Sequence, residues 1–236
     1  FMISKFKIKF IIGPHRSGTT YVQSLLGTMD SVGILPETHF YCRILPYLKK
    51  ISKKRKISFE DTKYATIQIL FRGKDCINNW EKLNNALNKY GYQGYFIELI
   101  NELKFCYKNN AEIVLEKTPS HIFFTNSILK DFPETSFLIT VRDPRSIFIS
   151  FIKYINPNSK WIRFSYFIKE MNYLIKVFSQ IKNLRGSKYQ VIRLEDLQSN
   201  RDESLINICK FLNIKFGIKD IDNFTNLASH ISFNYE

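Results

Sequence analysis

Residues 7–26, KIKFIIGPHRSGTTYVQSLL, constrain the fold more than any other stretch of the chain. The run KIKFII at 7–12 has the apolar, β-branched make-up of a strand entering a buried sheet. A glycine-bounded turn follows at once, with Gly13 and Gly18 at its ends. Beyond it Tyr21, Val22, Leu25 and Leu26 recur at helical spacing, and Gly27 is placed to stop the helix. The reading is strand, glycine loop, helix.

The rest of the chain repeats the alternation. Residues 59–108 read as helical, with Phe96, Ile97, Ile100, Leu103, Cys106 and Tyr107 on one apolar face. AEIVLE at 111–116 reads as a short strand, and SFLITV at 136–141 is a continuous apolar run of the kind buried on both faces in a parallel sheet. A helical pattern starts at Pro144. Residues 161–184 form a long amphipathic pattern with Phe164, Ile168, Met171, Leu174, Phe178 and Ile181 on one stripe. YQVIRL at 189–194 is a further strand, followed by a helix near 202–212. Strands alternating with helices predict an α/β fold, a P-loop-like three-layer arrangement with a mainly parallel central sheet flanked by helices. With 236 residues, 44% of them hydrophobic, the chain suits a single domain over 1–236 with a sizeable core.

Composition narrows the function classes. No apolar run approaches the roughly 18 residues of a membrane span, and FMISKFKIKFIIG is too short and too interrupted by lysine for a signal peptide. A cytoplasmic protein is expected. The four cysteines, at 42, 76, 106 and 209, have neither C-x-x-C nor zinc spacing and read as reduced structural thiols; no metal is expected. The formal net charge of +14 attracts anions in general. Its densest run, KKISKKRK at 49–56, reads as a solvated face or an anion-attracting rim. A nucleic-acid binder is disfavoured because no reading motif accompanies the charge.

The loop has the glycine spacing of the nucleotide-triphosphate motif G-x-x-x-x-G-K-[ST], with Thr20 in the last position, but Thr19 stands where that motif has lysine. Its backbone N–H groups at a helix N-terminus suit one phosphate. Ser17, Thr19 and Thr20 bring hydroxyls, and Arg16 brings a cation before Gly18 instead of after it. Two other predicted strands end in polar residues: Glu116-Lys117-Thr118 and Arg142-Asp143. Pro144 fits a helix's first turn, and Ser150, just under two turns on, leans back toward Arg142. Two anion sites at strand ends, without a Walker lysine, suit a nucleotide carrying a 5′ phosphate and a separate 3′ phosphate. Asp143 and Arg145 read as structural or solvated.

GPHRSGTT, EKTPSH and RDPRSIFISF together resemble the signature segments of sulfotransferases that use 3′-phosphoadenosine 5′-phosphosulfate (PAPS). By matching position, the resemblance implies that Arg16, Ser17, Gly18, Thr19 and Thr20 hold the 5′ phosphosulfate, and that Arg142 and Ser150 hold the 3′ phosphate. VIRLEDLQSNRDESLINICKFLNI resembles the family's late strand and helix, where Arg-x-Glu-Asp-Leu is mostly architectural. ETHFY at 37–41 resembles the glycan-modifying, heparan-type branch, in which the matching Glu37 is the base and His39 assists. The resemblance is weak from about 43 to 110, where acceptor-binding elements would lie.

The residues themselves leave the base open between Glu37 and His39. An ordinary Glu titrates near about 4.3 and a His near about 6.5, which favours His39 at neutral pH; the resemblance favours Glu37. Arg16 and Lys117 are the candidate cations for charge developing on the leaving oxygen. His15 has no family role, and His121 and His230 read as structural. Tyr21 reads as an adenine-stacking or a core aromatic. The expected reaction is sulfuryl transfer to a hydroxyl of a small molecule or glycan. A nucleotide or small-metabolite kinase with a degenerate loop is the alternative.

Overall fold

The computed structural model describes residues 6–70, 74–107, 111–155 and 160–215. Five strands, β1 (Lys7–Ile12), β2 (Val32–Ile34), β3 (Ile113–Lys117), β4 (Phe137–Val141) and β5 (Tyr189–Arg193), pair in parallel in the order β2-β3-β1-β4-β5. Four of these match the sequence reading to within two residues. The fifth, β2, is three residues long and contains Gly33, so it carries no alternation to read. It exists because Val32, Gly33 and Ile34 lie beside Ile113, Val114 and Leu115 of β3.

The three central strands, β3, β1 and β4, are buried on both faces because each alternates between two cores, whereas the edge strand β5 is only partly covered. Phe10, Ile12, Val114, Phe137 and Ile139 face one. Ile11, Ile113, Leu115 and Leu138 face the other. The second core is closed by α1 (Thr19–Leu26) and α9 (Arg201–Leu212), with Leu197 of the short α8 (Leu194–Ser199) between them. The first is closed by α2 (Leu45–Ser52), α3 (Phe59–Ile69) and α4 (Trp80–Tyr107), and by α5 (Thr125–Asp131) and α7 (Lys160–Asn183). The layers are therefore helix, sheet, helix. Local signals set several ends. Ser58 and Asp61 form a reciprocal capping box at the start of α3, and Pro144 opens α6 (Pro144–Ile155), where its missing N–H costs nothing.

One expectation changes. The stripe drawn along α7 is buried only in its C-terminal half: Leu174 is buried, whereas Phe164 and Ile168 are exposed. The side turned to the protein is Glu170, Leu174 and Val177, so the helix is rotated relative to the stripe's first half. Cys106 and Tyr107 fall in α4, but their side chains lie outside the described residues, as does His230. No helix among the described residues is long and apolar enough to cross a membrane.

Position in the sheet prepares the site. β1 has β3 on one side and β4 on the other, so the chain reverses its direction of travel across the sheet next to β1. Ligands in such sheets bind at this reversal, beyond the strands' carboxyl ends. The three segments singled out from the sequence leave the C-terminal ends of these three adjacent strands.

Candidate functional site

The loop after β1 is shaped by close approach to β4. Gly13 (φ +145) passes so near β4 that a Cβ there would sit 2.3 Å from the Thr140 carbonyl oxygen, and a Cβ on Gly18 (φ +90) would meet Leu194 Cδ1 at 2.7 Å. Only glycine fits at both ends of the turn. Between them Arg16 is held in the left-handed region at φ 63, a conformation that a non-glycine residue keeps only when its surroundings impose it. Gly18 caps α1 without any side-chain bond to the helix end, so the first N–H groups of α1 are open to an anion.

The loop's side chains divide into inward and outward sets. Ser17 is fully buried and its Oγ is 2.7 Å from both the Pro14 carbonyl oxygen and Thr140 Oγ1. Its proton goes to the carbonyl, so Ser17 braces the turn against β4 and offers no hydroxyl donor outward. Thr19 is also buried, leaving Thr20 as the outward hydroxyl of the three. Arg16 is exposed. Its Nε donates to Ser150 Oγ at 3.0 Å, and its guanidinium lies 5.2 Å from the centre of the Tyr154 ring on α6. Arg142, at the end of β4, donates from Nη1 to the Arg16 carbonyl oxygen at 3.4 Å. Arg16, Arg142 and Ser150 thus form one cluster, although Ser150 touches Arg16 instead of Arg142.

Neighbouring residues at this strand end are structural. Asp143 accepts from Arg145 N at 2.8 Å and pairs with its guanidinium at 2.6 Å, which caps α6 and holds the Asp143 carboxyl down to about 2. Glu195 of the Arg-x-Glu-Asp-Leu segment accepts the Asp143 N–H at 2.9 Å. Tyr21 is half-buried against the α1–α9 core.

A second cluster joins β3 to the loop after β2. Lys117 Nζ lies 2.6 Å from Glu37 Oε1, and His39 Nε2 lies 3.2 Å from Glu37 Oε2, so the carboxylate is gripped on both oxygens. Lys117 is almost buried while Glu37 stays about one-third exposed. Burial lowers the pKa of His39 against the opposing pull of Glu37. The ring is therefore neutral near pH 7, and its Nε2–H can donate to Glu37. Its Nδ1 lies 3.7 Å from Cys42 Sγ, whose thiol burial pushes up to about 11. His39 itself has a left-handed backbone, φ 49, and leads into a π-turn over Phe40–Ile44. Such turns are frequent at functional sites.

What positions this loop was missed from the sequence. Glu116 belongs to the Glu116-Lys117-Thr118 strand end read as suited to anions, but it is fully buried. Its Oε1 accepts from Thr38 Oγ1 (2.7 Å), Thr38 N (3.3 Å) and Thr118 Oγ1 (2.6 Å), and its Oε2 from His121 Nδ1 (2.9 Å). His121 Nε2 in turn accepts the Tyr41 N–H at 3.2 Å. Thr118 Oγ1 also accepts the His39 N–H at 3.2 Å. Burial pushes the Glu116 carboxyl up, but the field and hydrogen bond of His121 and the two threonine hydroxyls outweigh it and hold the group at about 2. Glu116 is the peg on which residues 38–41 hang, and of the Glu116-Lys117-Thr118 trio only Lys117 reaches the site.

A sulfotransferase family model matches residues 10–217. The chain belongs to the sulfotransferase family. Solved structures agree in fold. The sulfotransferase domain of the Synechococcus PCC 7002 olefin synthase is 17% identical with a TM-score of 0.57, over 92% of this chain and 77% of that one. STF1 from Mycobacterium tuberculosis H37Rv is 12% identical with a TM-score of 0.56, over 94% and 71%. Mouse SULT7A1, solved in complex with PAP, is 12% identical with a TM-score of 0.52, over 100% and 68%. No curated protein matches the chain. Family membership displaces the kinase alternative.

Proposed function

We propose that this sulfotransferase moves the sulfuryl group of PAPS to an acceptor hydroxyl, on a carbohydrate or small molecule, with Glu37 as the base. The observation that carries the reading is the convergence of Arg142 and Ser150 on Arg16 beside an uncapped α1 N-terminus, beyond the adjoining ends of β1 and β4. The residues fit the donor: a glycine cradle for one phosphate, a hydroxyl at Thr20, and cations for two anionic groups. The donor supplies a sulfuryl group on a phosphate leaving group; transfer forms an S–O bond to the acceptor, breaks the S–O bond to the 5′ phosphate and leaves the acceptor proton on the protein.

The second cluster suits that proton. Lys117 and Glu37 are partners at 2.6 Å, so an anion arriving beside Lys117 competes with Glu37 for its ammonium and frees one carboxylate oxygen to take a proton. His39, neutral, steadies the other oxygen. Arg16 and Lys117 then stand on the side where negative charge grows, as fixed cations that need little reorganisation.

A thermal-shift comparison tests the donor assignment. Adenosine 3′,5′-bisphosphate is expected to stabilise the protein and ATP-Mg²⁺ to leave it unchanged; the reverse result overturns the assignment. An acceptor screen with PAPS, read by mass spectrometry as an added sulfuryl group, then tests the transfer.

A further inference from the structure

His15 has a place in the tertiary structure that its neighbours in the loop do not share. Its ring stacks on Tyr173 of α7, with centroids 5.0 Å apart and planes 21° from parallel. Its backbone N–H donates to Tyr173 Oη at 3.3 Å, and its Nε2 lies 3.3 Å from Ser120 Oγ, in the 3-10 turn three residues past Lys117. Phe123 packs edge-on against the same Tyr173 ring. Three segments distant in sequence thus hold one imidazole flat and leave its Nδ1 without a hydrogen-bond partner among the described residues. Tyr173 is similar: its oxygen accepts from His15, but its own O–H proton has no acceptor among the described residues.

The pair lies between the two clusters: His15 precedes Arg16 in the loop, and its ring touches Ser120, three residues past Lys117. The charge of Glu37 acts on both rings, and those of Lys117, Arg16 and Arg43 act on His15. Burial lowers His15 against the pull of Glu37 and raises Tyr173, with Glu170 and Glu37 adding to the rise. Near pH 7 the pair is therefore a neutral imidazole nitrogen and an intact phenol O–H. Glu170, one turn before Tyr173 on α7, is buried with its Oε1 unpaired among the described residues.

We propose that His15 and Tyr173 form the acceptor's hydroxyl subsite, Tyr173 O–H donating to the acceptor oxygen and His15 Nδ1 holding the hydroxyl proton until Glu37 takes it. A neutral alcohol both donates and accepts, and the pair offers one complement to each role. A carboxylate or an ammonium at the same place lacks one of the two. The inference rests on the sulfuryl-transfer reading and adds to it which residues orient the nucleophile. Orientation of that oxygen is a large part of what a site without covalent catalysis can supply.

The test uses the full chain and the variants His15→Ala, His15→Asn and Tyr173→Phe, with melting curves to verify folding. Calorimetry with adenosine 3′,5′-bisphosphate reads the donor side. Release or transfer of sulfate from PAPS, with 4-nitrophenol, N-acetylglucosamine and water as acceptor probes, reads the acceptor side. His15→Ala and Tyr173→Phe are expected to bind bisphosphate within about threefold of wild type and to lose at least about tenfold in turnover on every probe wild type uses. His15→Asn, whose amide falls near the Nδ1 position, is expected to recover part of that loss. Wild-type turnover in folded His15→Ala and Tyr173→Phe, or a matching loss of bisphosphate affinity, overturns the subsite while leaving the donor reading in place. A wild-type protein that binds no bisphosphate, or turns over no probe, overturns the sulfuryl-transfer reading and this inference with it.

Discussion

Glu37 shows how a residue legible by type becomes defined only by its partners. From the sequence it competes with His39 for one role; in the structure the two are 3.2 Å apart and Lys117 takes the other carboxylate oxygen at 2.6 Å. Glu37→Gln keeps the shape and a hydrogen-bonding group but cannot accept the proton. Turnover is expected to fall by roughly 10²–10⁴ with bisphosphate affinity unchanged in calorimetry. His39→Ala is expected to cost less, because it removes an orienting partner; the opposite ranking reverses the assignment of the base. At the other cluster, Arg142→Ala is expected to weaken bisphosphate binding by about 2 kcal/mol, the low end for a truncated charge pair because Arg142 is half-exposed. Unchanged affinity removes Arg142 from the donor site. Arg16, Lys117 and Arg142 stand out in the sequence because each is a cation at or just beyond the end of a strand legible from its neighbours. Ser17 and Glu116 were misread as ligand-facing because nothing local reports that a polar side chain points inward to a partner on another strand.

The loop between β1 and α1 is the element on which the proposed donor site depends, and its Gly13 differs from a glycine elsewhere in the chain in what it protects. Gly13 combines a positive φ with a backbone oxygen 2.3 Å from the position of a Cβ; Gly91, inside α4, has φ +68 but nothing within 4 Å. Gly91→Ala is expected to cost about 1 kcal/mol of backbone strain. Gly13→Ala adds a clash with β4 that cannot relax without separating the strands, and is expected to cost about 3 kcal/mol or more. Urea melts of the two variants compare the costs directly; equal midpoints contradict the close approach. The strand–loop–helix unit was legible because its signals lie within twenty residues of chain. β2 was not, because a three-residue strand with a central glycine has neither periodicity nor propensity and forms only where β3 offers an edge. The N-terminal half of α7 was misassigned for a related reason: an apolar stripe reports which face prefers burial, and only the neighbouring helices decide how far along the helix burial extends.

Across the whole molecule, the Glu116 peg ties β3, the loop after β2 and the turn at 119–124 into one unit, and it makes stability depend on acid. The carboxyl sits at about 2 in the folded protein, below the value near 4.3 of an unfolded chain. A depressed carboxyl contributes stability that is fully present above the unfolded value and is lost as pH falls toward the folded one. Wild type is therefore expected to lose up to roughly 1.4 kcal/mol per pH unit between about pH 5 and pH 2 from this group. Glu116→Gln is expected to be less stable at pH 7 and to show a flatter acid limb in chemical-denaturation series. An unchanged slope contradicts the role given to Glu116. The formal charge of +14 adds general repulsion at low pH, so the comparison between the two proteins, and not the wild-type curve alone, carries the result.

Strand–helix alternation, the glycine turn and the three polar strand ends are properties of neighbours along the chain, and they were enough to deduce a parallel α/β sheet and to direct the search for anion sites to its carboxyl edge. Which side chains meet there is a property of distant pairs: Glu37 and Lys117 are 80 residues apart, Arg16 and Ser150 are 134, and His15 and Tyr173 are 158. Local periodicity carries no information about such pairings, because they arise from strand order and helix rotation, which are set by packing the two cores at once. The chain therefore announced its sheet and its loop, while the inward turn of Ser17, the buried peg at Glu116 and the stacked imidazole at His15 came into being only when the layers closed.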